Sequence, residues 1–232
     1  MPNRPAPPQS EAELWSRARA LAGLSLAHLA KEDDSRVPDK LLHAKGWVGQ
    51  LLERRLGASA GSKDEPDFQH LGIELKTLPV DRVGRPCEST FVCTIPLLDV
   101  AGTEWAESRV HRKLNRVLWI IVEGSRDIPV GERRLGEPLL WSPDESETAI
   151  LKRDWDELTG IIGRGDVDSI TGHLGQAMQM RPKARDSHAR RRGLDEDGVI
   201  VERMPRGFYL RASFTARILE RSFVLPQART PR

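Results

Sequence analysis

Cysteine is nearly missing from this 232-residue chain. The two that occur, Cys87 and Cys93, are too few for a disulfide framework, and neither their spacing nor any nearby histidine pair suits a zinc site. Both read as reduced thiols, one of them a core residue of the segment 91–95. Long apolar runs are absent, so no stretch reaches the length of a membrane-spanning helix. The opening MPNRPAPPQSEAE has no continuous apolar stretch and does not read as a signal peptide. A cytoplasmic protein with no membrane partner is expected. No glycine-rich segment has P-loop spacing: GASAGSK at 57–63 follows a helix instead of a strand and reads as a flexible connector. The six histidines are scattered, none in a triad context with serine or cysteine, so covalent hydrolase chemistry finds no support.

Charge is plentiful and unevenly spread. Residues 181–232 hold 13 Lys+Arg against 6 Asp+Glu, a balance of +7, while the rest holds 23 against 28. An acidic body with a basic C-terminal quarter suits a polyanion such as nucleic acid; a solvated arginine-rich face is the equal alternative.

The pattern predicts an α/β protein of mixed α+β character. Ser10 with Glu13 forms a capping box ahead of a helix carrying Leu14, Trp15, Ala18 and Leu21. Further helices are expected over 25–31, 39–56, 144–158 and 213–223. In the helix over 39–56, Leu42, Trp47, Val48, Leu51, Leu52 and Leu56 make one buried stripe. Strands are expected at 72–77, 90–95 and 116–123, together a small central sheet, followed by shorter pieces after residue 175.

The stretch most suggestive of chemistry is DFQHLGIELK, residues 67–76. Gly72 to Thr77 alternates like a strand, with Ile73 and Leu75 on one face and Glu74 and Lys76 on the other. Two carboxylates, Asp67 and Glu74, with an adjacent ammonium on Lys76 can hold a hard divalent cation, which usually takes one or two protein carboxylates plus water and phosphate oxygens. That is the chemistry of a metal-dependent phosphodiester hydrolase. On these ten residues alone, a strand edge of mixed charge is the favoured reading. Glu53, at the edge of the buried stripe, could be projected toward the same place; a surface glutamate paired with Arg54 or Arg55 is its plainer reading. Arg181 and Lys183, in a loop stiffened by Pro182, are of the types that read guanine or hold phosphate. Tyr209 and Phe208 stand among Arg203, Arg206 and Arg211, though a half-buried strand tyrosine is the simpler account of Tyr209.

Taken in order, KGWVGQLLE (45–53), LGASAGSK (56–63), DF with LGIELKT (67–77), TFVC (90–93), KLNRVLWI (113–120), PLLWSP (138–143), RPKA (181–184) and MPRGFYL (204–210) span nearly the whole chain, and in this the sequence resembles the MutH family of DNA mismatch-repair endonucleases. The resemblance implies a restriction-endonuclease-like fold, a central mixed sheet flanked by helices, with two lobes forming a DNA cleft. It implies a disordered tail over 1–9, one domain over 10–224 whose basic part, 178–224, serves recognition, and a second tail over 225–232. Glu53, Asp67, Glu74 and Lys76 become the active-site set, with Asp67 and Glu74, assisted by Glu53, holding Mg2+ (Mn2+ as a substitute) and Lys76 orienting the attacking water. Lys45, Gly46 and Phe91 are placed near DNA, Arg181, Pro182 and Lys183 in the recognition loop, and Tyr209 as the sensor of adenine methylation. The implied activity is nicking of the unmethylated strand of double-stranded DNA at hemimethylated or unmethylated GATC sites by a monomer, activated by MutL and indirectly by MutS. One departure stands out: RDSHARRRGLDEDG, after RPKA, is richer in arginine than the family pattern. A GATC-cutting type II restriction enzyme and a non-catalytic DNA-binding module are the alternatives.

Overall fold

The computed structural model describes residues 5–39, 41–61, 64–183 and 188–223, with only the backbone for 41–45. Three helices open the chain: α1 (Glu11–Ala20), α2 (Leu26–Glu32) and α3 (Leu41–Leu56). Ser10 and Ser25 start α1 and α2 by accepting the amides of Glu13 and His28, which satisfies one orphan donor at each N-terminus. From the proline-rich beginning, Pro8 is buried and its carbonyl meets His70 Nε2 at 2.6 Å, while Ala6 accepts from Arg17 at 2.7 Å.

The first sheet is mixed. Its centre is β3 (Val117–Glu123), parallel to β1 (Glu74–Val80) and antiparallel to β4 (Leu135–Trp141). Alternation along β3 supplies both faces. Leu118, Ile120 and Val122 join the core that α1–α3 close, and Val117 and Trp119 join the core shared with the second sheet. A strand covered on both sides reads as an unbroken apolar run, which VLWIIV is. β4 escapes a reading by period because Gly136, Glu137 and Pro138 interrupt it; at the sheet edge a proline costs no ladder bond.

The second sheet corrects the expectation of one small central sheet. β2 (Thr90–Thr94) pairs with β8 (Arg206–Leu210), not with β1 or β3, and β5 (Met178–Pro182) pairs with the other edge of β8, all antiparallel. Periodicity identifies a strand but not its neighbour, and this partner lies more than a hundred residues away. Between β5 and β8 the arginine-rich stretch, expected as loop, contains β6 (Arg191–Leu194), which forms a hairpin with β7 (Ile200–Arg203), one of the short pieces expected after residue 175. α4 (Arg109–Leu114), α5 (Glu145–Gly163) and α6 (Ala212–Ser222) are the remaining α-helices among the described residues. α5 begins in a full capping box between Asp144 and Glu147 and runs a turn beyond the expected end, burying Leu151, Trp155, Leu158 and Ile162. No described helix is long and apolar enough to cross a membrane.

Candidate active site and DNA cleft

Asp67 and Glu74 are seven positions apart and are brought together by a tight reversal. Phe68 and Ile73 exchange backbone hydrogen bonds at 2.9 and 3.4 Å across a short 3-10 turn, and Gly72 closes it with φ +65. That left-handed conformation is one that glycine adopts without the penalty a Cβ imposes. The reversal lets Asp67 Oδ2 accept the Leu75 amide at 2.8 Å. The preceding loop is tied down at residues 59 and 60: the Ser59 and Ala60 amides both donate to the Asp67 carbonyl, at 2.9 and 3.2 Å.

Glu74 begins β1 and is 2% exposed. Its carboxylate takes Lys76 Nζ at 2.5 Å and Lys113 Nζ at 2.9 Å. Lys113, on α4, also donates to the Glu65 carbonyl at 3.0 Å, which ties the segment before Asp67 to the same centre. Sequence reasoning gave Lys113 no role. It stands 39 positions from Glu74 in a basic run with no periodic signal, so only the fold reveals the contact.

The acids carry the mark of crowding. Burial, reinforced by the Glu74 charge, pushes the Asp67 carboxyl up to about 6 against the opposing pull of the Leu75 amide and Lys76. Glu53, half-buried on α3, is raised by desolvation first and by Glu74 second. Leu51 and Leu52, fully buried beside it, fix the helix rotation that turns Glu53 inward; truncating either to alanine costs about 2–5 kcal/mol by the usual cavity penalty. Among the described residues, no three His, Cys, Asp or Glu side chains are gathered so as to hold a metal. The expected three-carboxylate set is therefore not assembled in this form, and Glu74 is neutralised by two lysines. Asp67 and Glu74 remain a pair of hard oxygen donors of the kind a divalent cation takes, and a cation would relieve the repulsion that raises Asp67.

A cleft of about 800 Å3 joins this centre to the second sheet. Leu75 and Lys76, bonded to Asp67 and Glu74, line it, as do Gly46, Glu53, Phe91, Lys183 and Tyr209. The side chain of Lys45 lies outside the described residues. Phe91 and Tyr209 are cross-strand partners with rings edge to face at 5.3 Å. Lys183 Nζ lies 4.5 Å from the Phe91 ring centre and the Arg181 guanidinium 5.8 Å from that of Tyr209. Arg181 Nη1 also donates to Ser89 Oγ at 3.0 Å, so its plane is held from two sides. Pro182, exposed, pairs with Arg206 at the end of β5. Burial keeps the Tyr209 hydroxyl above its ordinary range, hence protonated and able to donate. The root of β5 is fixed by Asp154, another residue without a sequence signal: its Oδ2 accepts the amides of Gln176, Ala177 and Met178 at 2.6–2.9 Å.

Gly207 is what allows the cluster to close. A Cβ there would lie 2.8 Å from Phe91 Cε2 and 3.1 Å from the Cys93 carbonyl. Gly207→Ala is expected to destabilise the protein by about 1–3 kcal/mol, the usual cost of overpacking, and to displace Phe91. Urea unfolding with the wild-type slope and an unmoved midpoint would refute the tight approach.

A mixed sheet whose first strand presents Glu74 and Lys76, with Asp67 folded back onto that strand, beside a cleft is the architecture of restriction-endonuclease-like enzymes. Comparison with known proteins agrees. A family model for the DNA mismatch repair enzyme MutH matches residues 56–154. The DNA mismatch repair protein MutH of Photorhabdus laumondii is 52% identical over 221 residues, 95% of this chain and 97% of that one. That of Shewanella baltica is 51% identical over 221 residues, covering 95% and 99%. The chain belongs to the MutH family of DNA mismatch-repair endonucleases.

Proposed function

We propose that this protein is a Mg2+-dependent endonuclease that nicks the unmethylated strand of duplex DNA at hemimethylated GATC sites in the cytoplasm, on activation by MutL, which acts with MutS. The observation that carries the reading is the single cleft lined by Lys76 and Glu53 at one end and by Phe91, Lys183 and Tyr209 at the other. Asp67 and Glu74 are the residues to hold the cation, with Mn2+ as a substitute. When bound, it supplies a water of lowered pKa and a clamp on the scissile phosphate.

The remaining roles belong to the chain. Lys76 Nζ, which donates to Glu74 in this structure, would orient the attacking water and face the phosphate oxygens were a cation held beside it. Lys113 stays beside Glu74 and balances the anionic centre. Glu53, with its raised pKa, accepts a proton or holds a second water at the cleft wall. Arg181, its plane fixed by Ser89 and Tyr209, bonds a guanine edge, and Lys183 holds phosphate or base. The Tyr209 hydroxyl meets the adenine N6 group; methylation there removes a donor hydrogen and adds bulk to a packed contact. One such centre per monomer cuts one strand. ATP belongs to the activating partners, in keeping with a chain that has no P-loop motif.

Arg181→Ala is expected to lose roughly 1–3 kcal/mol of discrimination at the guanine position while retaining most phosphate-driven affinity. A cleavage panel of singly altered sites reads this directly, and an unchanged preference would remove Arg181 from recognition.

A further inference from the structure

The described part of the arginine-rich segment, from residue 188 on, is folded, and its hairpin meets the recognition strands at Pro205. Lys183 donates its amide to the Pro205 carbonyl at 2.7 Å, beyond the last rung of β5 and β8, and the β6–β7 ribbon continues from there. The ribbon is seated on the body. Arg203 and Arg206 both bind Asp168. Gly193 packs on Leu97, where a Cβ would lie 3.3 Å from the leucine Cβ. Gly165, at φ +78, admits the Asp195 carbonyl at the ribbon's turn.

Two arginines are not used in holding it down. Arg191 and Arg192 are exposed and form no ion pair among the described residues. Arg191 stands directly across from Arg203, and like charges in that position cost stability. Asp168 neutralises Arg203; among the described residues nothing neutralises Arg191. Of the ribbon's acids, Glu202 stands across from Arg192 against the arginines at 191, 192 and 203, and the others sit at the far end, where Asp195 accepts the amides of Asp197 and Val199 to close the turn. The basic end is thus the one beside Lys183. Arg203 is two residues from Pro205, about 7 Å along an extended strand. A DNA strand advances about 3.4 Å per nucleotide, so this end reaches roughly two base pairs beyond the contacts of Arg181 and Lys183.

Resting on the endonuclease reading, we infer that the β6–β7 ribbon is a second DNA contact, in which Arg191 and Arg192 bind backbone phosphates of the duplex flanking the recognition sequence. Such contacts add affinity and fix the duplex direction in the cleft, and they carry no base discrimination.

The test compares wild type with Arg191→Ala/Arg192→Ala and Arg191→Lys/Arg192→Lys in salt titrations of binding to a long-flanked GATC duplex and to one trimmed to the recognition sequence. On the long duplex the alanine pair is expected to lower the slope of log affinity against log salt by about 2. The lysine pair keeps the wild-type slope, and all three proteins coincide on the trimmed duplex. Relief of the Arg191–Arg203 opposition leaves the alanine pair as stable as wild type, so a thermal melt separates lost contact from misfolding. Equal slopes for wild type and the alanine pair on the long duplex would overturn the inference. Equal slopes with lost MutL stimulation would also overturn it and assign the ribbon, whose Val199 and Ile200 are exposed, to a protein partner. A wild-type protein with no salt-dependent duplex binding would instead count against the endonuclease reading.

Discussion

Glu74→Gln is expected to bind GATC duplex with near wild-type affinity and to cut it at least about a thousandfold more slowly, since loss of one preorganised charge at such a centre costs 10²–10³ and this one also weakens the cation site. Glutamine is preferred to alanine because Glu74 is almost fully buried and holds two ammonium groups. Truncation would leave both lysines facing a cavity, and an uncompensated buried charge costs about 3–5 kcal/mol. Glutamine fills the space and keeps an oxygen for one lysine. Single-turnover cutting, measured beside a binding isotherm, separates the two effects. Retained cutting would move the metal site away from β1.

Asp67→Asn is expected to lose cutting as well, but to gain stability. In the metal-free protein Asp67 titrates near 6, against an ordinary value of 3.8. A raised carboxylate pKa means that ionisation opposes folding. The cost is absent below pH 3.8 and complete above about 6. At ~1.4 kcal/mol per unit, and with some allowance for the part of the side chain in contact with water, it amounts to roughly 2–3 kcal/mol near neutral pH. Asparagine removes that cost and keeps an acceptor for the Leu75 amide. In a chelator, wild-type stability should therefore fall between pH 4 and 7 relative to the variant. Added Mg2+ should stabilise wild type and leave the variant unmoved, because only a ligand bound to the folded state shifts the equilibrium. A variant no more stable than wild type at neutral pH would show that Asp67 is not strained by its neighbours.

The opposed effects of these substitutions follow from one arrangement. Acids are buried together at the cost of stability, and Lys76 and Lys113 hold Glu74 in the absence of a cation. Glu53 is perturbed in the same direction as Asp67.

Much of this was readable in the chain because it is local. DFQHLGIELK alternates as β1 does, Gly72 marks the reversal, and the stripe Val48, Leu51, Leu52, Leu56 sets the rotation of α3 and so of Glu53. The expected Asp, Glu and Lys positions are adjacent in the fold, and Gly46, Phe91, Lys183 and Tyr209 line one cleft with Lys76 and Glu53. What escaped is long-range. The pairing of β2 with β8 depends on contacts between segments far apart in sequence. Lys113 meets Glu74 only because α4 packs on β2 and the start of β1. β4 is disguised by Pro138 at an edge, and β6 by arginines that read as loop. Asp154 looks like any helical surface acid until three amides of the β5 root converge on it.

The measurement that bears most directly on the account is a nicking assay on supercoiled plasmid, in Mg2+ and in chelator, with unmethylated, hemimethylated and fully methylated GATC sites, with and without MutL. The account predicts nicked circles only in Mg2+, nicks confined to unmethylated strands, strong stimulation by MutL and no cutting of fully methylated DNA. Linear products without MutL would place the protein with the restriction enzymes, and cutting that is indifferent to methylation or persists in chelator would contradict the account.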